Sequence, residues 1–112
     1  MVKQKLSHHM ELRKRLASQQ ELLASLETAG LADEATSIHN DIVNLDTEVQ
    51  QSGAAVMAWI DTIKDVPTRT IFRLRFIHCM TWSQVAKSIG GQNTANSVKL
   101  ICYRYLNAHH DE

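Results

Sequence analysis

The stretch TWSQVAKSIGGQNTANSVKLICYRYL, residues 81–106, contains a helix-start signal followed by a pair of glycines and a polar run. Thr81 with Gln84 three residues later fits a capping box, in which each side chain accepts a hydrogen bond from the other residue's backbone N–H. Gly90–Gly91 then breaks the helix, because glycine accepts the positive φ that a tight turn requires. The pattern predicts a short helix over 82–89, a turn, and a last helix over about 94–107.

The predicted last helix has two different faces. Its core side steps by i, i+3, i+4 and i+7 through Val98, Ile101, Cys102 and Tyr105. The roughly opposite side carries Thr94, Ser97, Leu100 and Arg104, flanked by Asn96 and Lys99. Asparagine pairs with adenine in the major groove, and lysine and arginine neutralise phosphates. Two interpretations follow from this spacing: a DNA-reading surface, or a helix cap followed by side chains that face solvent.

Two longer helices are predicted ahead of this segment. Residues 3–28 contain no proline or glycine, and Gly30 indicates a C-terminal stop. Residues 31–64 alternate apolar steps of three and four across four heptads, a period that makes helices pack side by side. The sequence therefore predicts a coiled-coil-like helical hairpin, with a kink or break allowed at Ser52–Gly53. The apolar seam of the first helix is Leu12, Leu16, Gln19, Leu23 and Leu26, and that of the second includes Ala35, Ile38, Ile42, Leu45, Val49, Ser52, Val56, Trp59 and Ile63.

Proline ends the long pattern and starts a third predicted helix over 67–78. Asp65 lies where it can cap that helix, and Pro67 is tolerated in a first turn. No stretch predicts a strand, because the β-branched residues follow helical spacing. The predicted architecture is all-α: a hairpin over 1–65 for packing and oligomerisation, then a three-helix module over 66–112.

The net charge of zero conceals a segregation of charge along the chain. Residues 31–65 hold seven Asp and Glu and one lysine, whereas residues 66–110 hold six Lys and Arg and no acid. Such asymmetry indicates an anionic partner for the basic segment, unless the acidic segment of the same chain pairs with it.

The segment from Pro67 to Leu106 resembles the helix-turn-helix of sigma-factor region 4, and more closely the sigma-like small regulators of phages and prophages. The residues that carry the resemblance are PTRTIFRLRFIHCMTWSQVAKSIGG followed by NTANSVKLICYRYL. The family implies a module that docks its last helix on duplex DNA, behind a long helical region. Family members often carry more basic residues in that helix, which here has only Lys99 and Arg104.

The resemblance also implies a set of DNA-contacting residues. Candidates for base contacts are Asn93, Thr94, Asn96, Ser97 and Leu100, and candidates for phosphate contacts are Thr81, Lys87, Lys99 and Arg104. Arg73 and Arg75 are weaker candidates, because their stems are suited to packing on aromatic rings and their heads to pairing with acids of the second helix. Trp82 and Trp59 are interpreted as packing residues.

Other kinds of site find little support in the sequence. His8–His9 and His109–His110 are adjacent pairs, which do not share a helix face, and both are interpreted as solvated termini. Cys79 and Cys102 show no CxxC spacing and are interpreted as reduced, half-buried core thiols. We expect no metal site, cofactor or enzymatic activity. No apolar run approaches the roughly 18 residues of a membrane span, so a cytoplasmic protein with no membrane partner is expected.

The leading hypothesis is a phage or prophage transcriptional regulator that binds double-stranded DNA as a homodimer through its hairpin. RNA polymerase is a partner that the resemblance alone implies. A second hypothesis is a DNA-packaging protein like the phage small terminase subunit, although those proteins usually place the DNA-binding motif first. A third is a protein-interaction module that keeps the sigma-like fold without binding DNA.

Overall fold

The computed structural model describes residues 2–109, in which the regular structure is helical and no strand is present. The five helices are α1 (Val2–Thr28), α2 (Ala32–Ile60), α3 (Val66–Phe72), α4 (Trp82–Ile89) and α5 (Ala95–Ala108), and a π-helical segment (Arg73–Ile77) continues α3. The predicted all-α architecture and the long N-terminal helix pair are confirmed. No helix among the described residues is long and apolar enough to cross a bilayer.

The turn between α1 and α2 is closed by a glycine. Gly30 has φ of 76°, and its N–H donates to the Glu27 carbonyl at 3.1 Å while the Leu31 N–H donates to the Leu26 carbonyl at 3.0 Å. These two bonds form the Schellman motif, which satisfies the last carbonyls of a helix. The turn reverses the chain, so that α2 returns along α1 as an antiparallel partner.

The seam of the hairpin follows the predicted residues. Leu12, Ala35 and Val49 are buried, and most of the other seam side chains are half-buried. Two helices cover each other along one line only, so a seam in an isolated hairpin keeps partial contact with water.

One prediction about α2 was wrong, because the helix ends at Ile60 instead of residue 64. The break allowed at Ser52–Gly53 does not occur, and the helix continues through Gly53. After Ile60 the chain turns through N–H bonds from Thr62 to the Trp59 carbonyl and from Ile63 to the Ile60 carbonyl. This tighter turn sends the Ile63 side chain into the core, where it is fully buried.

Gly53 lies inside α2, where a histidine of α1 packs against it. An added Cβ at Gly53 would lie 3.2 Å from His9 Cε1, closer than side chains normally approach. His9 is 1% exposed, and its Nδ1 is hydrogen-bonded to Ser52 Oγ at 3.1 Å. The prediction of a solvated His8–His9 pair therefore holds for His8 and is wrong for His9.

α3 begins as predicted, with Asp65 as its N-cap. The Asp65 carboxylate accepts hydrogen bonds from the Thr68 hydroxyl and from the Thr68 N–H, and these bonds lower the pKa of Asp65. The predicted uniform helix over 67–78 is instead α-helical to Phe72 and π-helical from Arg73 to Ile77, where the His78 N–H donates to the Arg73 carbonyl.

One hydrophobic core joins the base of the hairpin to the C-terminal helices. Val2 and Leu6 of α1 and Val56 and Ile60 of α2 belong to the same buried cluster as the core residues of α3, α4 and α5. Trp59 meets the Phe72 ring edge-on at 5.4 Å between ring centroids. The segments predicted as two domains therefore share their apolar core, which fixes the direction of the hairpin relative to α5.

The cysteines differ from each other in exposure. Cys102 is fully buried in this core, and burial raises the pKa of its thiol to about 12. Cys79 is exposed at the loop before α4, with φ of 55°, so the prediction of a half-buried thiol was wrong there.

Burial of His9 predicts acid sensitivity of the fold. Burial, and then the positive charge of Arg13, lower the pKa of His9 below its ordinary value of 6.5. The unfolded chain therefore takes up this proton more readily than the folded chain, and the stability contributed by neutral His9 is lost as pH falls below about 6.5. Urea unfolding of the wild type at about pH 7 and pH 5.5 measures the loss. His9→Leu should flatten this dependence, whereas His39→Gln at an exposed position should keep it. If the unfolding free energy falls equally from about pH 7 to about pH 5.5 in the wild type and in His9→Leu, the prediction is contradicted.

Contact between Gly53 and His9 predicts that a larger side chain at position 53 lowers the unfolding free energy more than one at an exposed helix position. Gly53→Val inserts a branched side chain where the imidazole lies, and overpacking of this kind costs about 1–3 kcal/mol of unfolding free energy. The neighbouring Ala54 is exposed, so Ala54→Val should cost only the helix propensity of valine, about 0.5 kcal/mol. Chemical denaturation of both variants compares the two costs, and equal values would show that Gly53 is not tightly packed.

Candidate nucleic-acid interface

α4 is held at its N-terminus by the capping box read from the sequence. The Thr81 side chain accepts from the Gln84 N–H at 3.2 Å, and the Gln84 side chain accepts from the Thr81 N–H at 2.9 Å. Val85 and Ala86 turn into the core, and Lys87 lies exposed on the opposite side. Thr81 is thus at the surface, with its hydroxyl engaged in the cap.

Between α4 and α5 the chain makes a turn that depends on two glycines. Gly90 and Gly91 have φ of 79° and 65°, values that a side chain makes costly. The Asn93 side-chain amide donates to the Gly90 carbonyl at 3.0 Å. Asn93 is exposed, yet its amide nitrogen is committed to holding the turn.

A second capping box, which the sequence did not reveal, starts α5. The Ser97 N–H donates to Thr94 Oγ1 at 3.1 Å, and the Thr94 N–H donates to Ser97 Oγ at 2.8 Å. Serine replaces the usual Glu or Gln at the third position, which is why the motif did not stand out. Of the five base-contact candidates, Asn93, Thr94 and Ser97 therefore have side-chain hydrogen bonds within the chain.

The remaining base-contact candidates, Asn96 and Leu100, form an outward stripe on α5 with the phosphate-contact candidates Lys99 and Arg104. Asn96, Leu100 and Arg104 follow one another at four-residue steps, with Lys99 beside them. All four are exposed, and Leu100 is 52% exposed despite being apolar. The opposite face is buried as predicted: Val98 and Cys102 are inaccessible, and Ile101 and Tyr105 are half-buried. The structure thus brings Asn96, Lys99, Leu100 and Arg104 together on one surface.

Lys3 of α1 reaches the same end of the molecule. Its ammonium lies 5.4 Å from the centre of the Tyr103 ring, and the Lys99 ammonium lies 5.9 Å from the same ring. The Tyr103 ring therefore attracts two ammonium groups, one from α1 and one from α5. Nothing in the sequence indicates this pairing of Lys3 with Tyr103, because it depends on how the hairpin packs on α5.

The arginines of the third helix have structural partners. Arg73 forms an ion pair with Asp61 at the end of α2. The Arg75 guanidinium lies over the Trp82 ring at 4.5 Å and donates to the Met80 carbonyl at 2.9 Å. The interpretation that these arginines pair with acids and pack on aromatic rings is confirmed, as is the packing role of Trp82.

Direct contact with the acidic segment neutralises only a small part of the basic segment's charge among the described residues. Within residues 2–109, Arg73 with Asp61 is the ion pair between a basic side chain and an acidic one. Lys87, Lys99 and Arg104 have no such partner among those residues. Their charges remain on the surface around α4 and α5, and the segment from 66 to 109 contains no acid.

The histidines and other ligand-type side chains do not gather into a site. Across the part of the chain that the structure describes, no three His, Cys, Asp or Glu side chains are grouped to hold a metal ion. His109 stacks on Tyr105 at 4.1 Å, so the prediction of a solvated terminus was wrong for this residue, and His110 lies outside the described residues.

Comparison of the chain with protein-family models, with curated proteins and with solved structures finds no match. The surface around α5 and the resemblance carried by residues 67–106 are therefore the two indications of function.

The cap of α5 predicts a separation between stability and recognition. Thr94→Ala removes an N-cap hydrogen bond and should lower the unfolding free energy by about 1 kcal/mol. Asn96→Ala at an exposed position should change stability by less than about 0.5 kcal/mol. Denaturant titration followed by circular dichroism measures both variants. Unchanged stability in Thr94→Ala would show that the hydroxyl is free for another role.

Proposed function

We propose that this chain is a DNA-binding transcriptional regulator of the sigma-region-4-like phage or prophage kind, with α5 docked in the major groove. The observation that carries the proposal is the outward stripe of Asn96, Lys99, Leu100 and Arg104 on a capped helix, in an acid-free segment. The assignment to phage and prophage regulators rests on the resemblance.

The residues of the stripe divide into base contacts and phosphate contacts in the proposed complex. Asn96 reads a base edge, since its amide donates and accepts as adenine requires. Leu100 contacts the methyl group of a thymine, the apolar feature of the major groove. Lys99 and Arg104 bind phosphates on either side. The hydrogen bonds of Asn93, Thr94 and Ser97 favour a positioning role for them, in which they present the first turn of α5 to the groove.

Further phosphate contacts come from outside α5. Lys87 on α4 is the outer charge expected of a helix that crosses the backbone in a helix-turn-helix. Lys3 lies beside Lys99 across the Tyr103 ring, so it extends the positive surface beyond the predicted residues. We infer that Lys3, Lys87, Lys99 and Arg104 neutralise DNA phosphates.

The proposed assembly is a homodimer through the hairpin, which presents two reading helices to paired half-sites. RNA polymerase remains the further partner that the resemblance implies.

A protein-interaction module is the second candidate, because a 52% exposed leucine at the centre of the stripe also suits a protein partner. The two functions differ in their response to salt. Binding through four phosphate contacts gives a plot of log binding constant against log salt concentration with a slope of about −3 to −4. A contact through Leu100 to a protein has a much smaller slope.

A binding assay with duplex DNA tests the proposal. Fragments from the genes neighbouring its own are titrated with the protein at two salt concentrations, and binding is followed by fluorescence anisotropy. Asn96→Ala should weaken binding to the preferred fragment by about 1–3 kcal/mol, because a base contact provides the discrimination. The affinity for that fragment then approaches the affinity for the other fragments. Lys99→Ala should weaken binding to all fragments alike. It should also reduce the slope of log binding constant against log salt concentration by about one unit.

Exposed Lys14 lies outside the proposed interface, so Lys14→Ala serves as the matched charge control and should bind as the wild type does. No binding at low salt by a protein with wild-type helicity would reject both DNA-binding hypotheses. Binding accompanied by a ring of eight or more chains would instead favour the packaging protein.

A further inference from the structure

One side of the hairpin forms an open groove along the line where α1 and α2 meet. We call it the hairpin groove, and its lining includes Lys5, His8, Leu12 and Arg15 of α1 with Glu48 and Ser52 of α2. The opposite side of the hairpin is lined partly by Ile77 of the π-helical segment, so the C-terminal helices reach that side.

Charge is divided sharply between the two halves of the hairpin. Residues 16–48, the half next to the turn, contain no lysine or arginine and seven acids, which are Glu21, Glu27, Asp33, Glu34, Asp41, Asp46 and Glu48. Residues 2–15, the base of α1, contain five lysines and arginines and one acid. The hairpin therefore has an acidic tip and a basic base.

Part of this charge lies along the hairpin groove. In a hairpin with a 3.5-residue seam, residues seven apart share a stripe. Glu48 lines the groove, so Asp41 and Glu34 continue its stripe along α2 towards the turn. Arg15 lines the groove on α1, and Leu22, 45% exposed, continues that stripe into the tip.

We propose that a second copy of this chain binds in the hairpin groove in the antiparallel direction, with the acidic tip of each copy along the basic base of the other. Charge complementarity selects this occupant. A parallel pair would place Glu34, Asp41 and Glu48 of one copy along the same three acids of the other, and like charges in contact oppose association. The antiparallel pair brings opposite charges together at both ends through one two-fold axis.

Distances along the helices are consistent with one such axis. At 1.5 Å per residue, Arg15 lies about 23 Å from the turn and Asp41 about 16 Å, so they meet across an axis about 20 Å from the turn. Lys5 at about 38 Å and Glu34 at about 5 Å meet across an axis about 22 Å from the turn. The two estimates agree within the reach of a lysine side chain.

The same axis accounts for two features of α1 that the single chain leaves incomplete. Gln19 Oε1 is buried without a hydrogen-bond partner among the described residues. Gln19 lies about 17 Å from the turn, so both copies of this residue fall close to the axis, where a polar seam residue fixes the register. Leu22 lies opposite Leu12 of the second copy, which covers its exposed surface.

This inference deepens the proposed homodimer, and it is tested without DNA. Sedimentation equilibrium over a range of protein concentrations is measured at about 50 and 500 mM NaCl, since salt screens exposed charges. We expect a dimer whose dissociation constant rises by about tenfold at the higher salt.

Charge reversal then tests the orientation. The tip variant Glu34→Lys/Asp41→Lys and the base variant Lys5→Glu/Arg15→Glu should each raise the dissociation constant by at least about tenfold. The combined variant reverses the charge at both ends, which restores the complementarity. Its dissociation constant should therefore lie within about threefold of the wild-type value. Circular dichroism verifies that each variant keeps the wild-type helicity.

Matched controls come from the outer surface of the hairpin. Asp33→Lys and Lys14→Glu change the same kinds of charge at exposed positions outside the two stripes, and each should leave the dissociation constant nearly unchanged. A monomer at all concentrations would overturn the inference. A dimer strengthened by salt, a combined variant that fails to recover, or an assembly larger than a dimer would also overturn it. None of these results bears on whether α5 binds DNA, so the two proposals fail separately.

Discussion

The contact on which the rest of the structure depends is the aromatic cluster of Trp59, Phe72 and Tyr105. Trp59 lies near the end of α2, Phe72 ends α3, and Tyr105 lies on the inner face of α5. Their rings meet edge-on, with centroids 5.4 to 5.9 Å apart. Edge-to-face pairs bury large apolar areas in a defined geometry, so three separate helices are fixed at one point.

Because this cluster joins the hairpin to α5, the properties of the two parts are linked. Val2 and Leu6 enter the same core, and this brings Lys3 to Tyr103 beside the outward stripe of α5. The first residues of the chain thus contribute charge to a surface formed mainly by its last helix. The cluster also directs the acidic tip of the hairpin away from the shared core, where it is available for a second copy.

Two polar side chains, His9 and Gln19, lie in the narrow interface between α1 and α2. His9 is buried between two helices because Gly53 leaves room for its ring and Ser52 provides a hydrogen bond. Gln19 lies at a seam position, and its carboxamide oxygen has no hydrogen-bond partner among residues 2–109. Both lower the stability that an all-leucine seam would provide, and polar groups of this kind favour one register over alternatives.

The sequence alone determined the helices, their order and most of their ends. Periodicity predicted both long helices and their seams, and local chemistry predicted the Gly30 stop, the Asp65 cap and the box at Thr81. These features depend on neighbours within a few residues, which the sequence displays directly. Within the candidate site, it also predicted the inner and outer faces of α5, because a helix converts spacing into direction.

Only the tertiary structure decided what depends on residues far apart in the chain. It buried His9 against Gly53, paired Arg73 with Asp61, and placed Lys3 on Tyr103 across one hundred positions of sequence. It also showed that hydrogen bonds engage Thr94, Ser97 and Asn93, which leaves Asn96, Lys99, Leu100 and Arg104 as the outward stripe. Such contacts arise from the packing of whole helices, and no local pattern encodes the distance between two surfaces that meet only after folding.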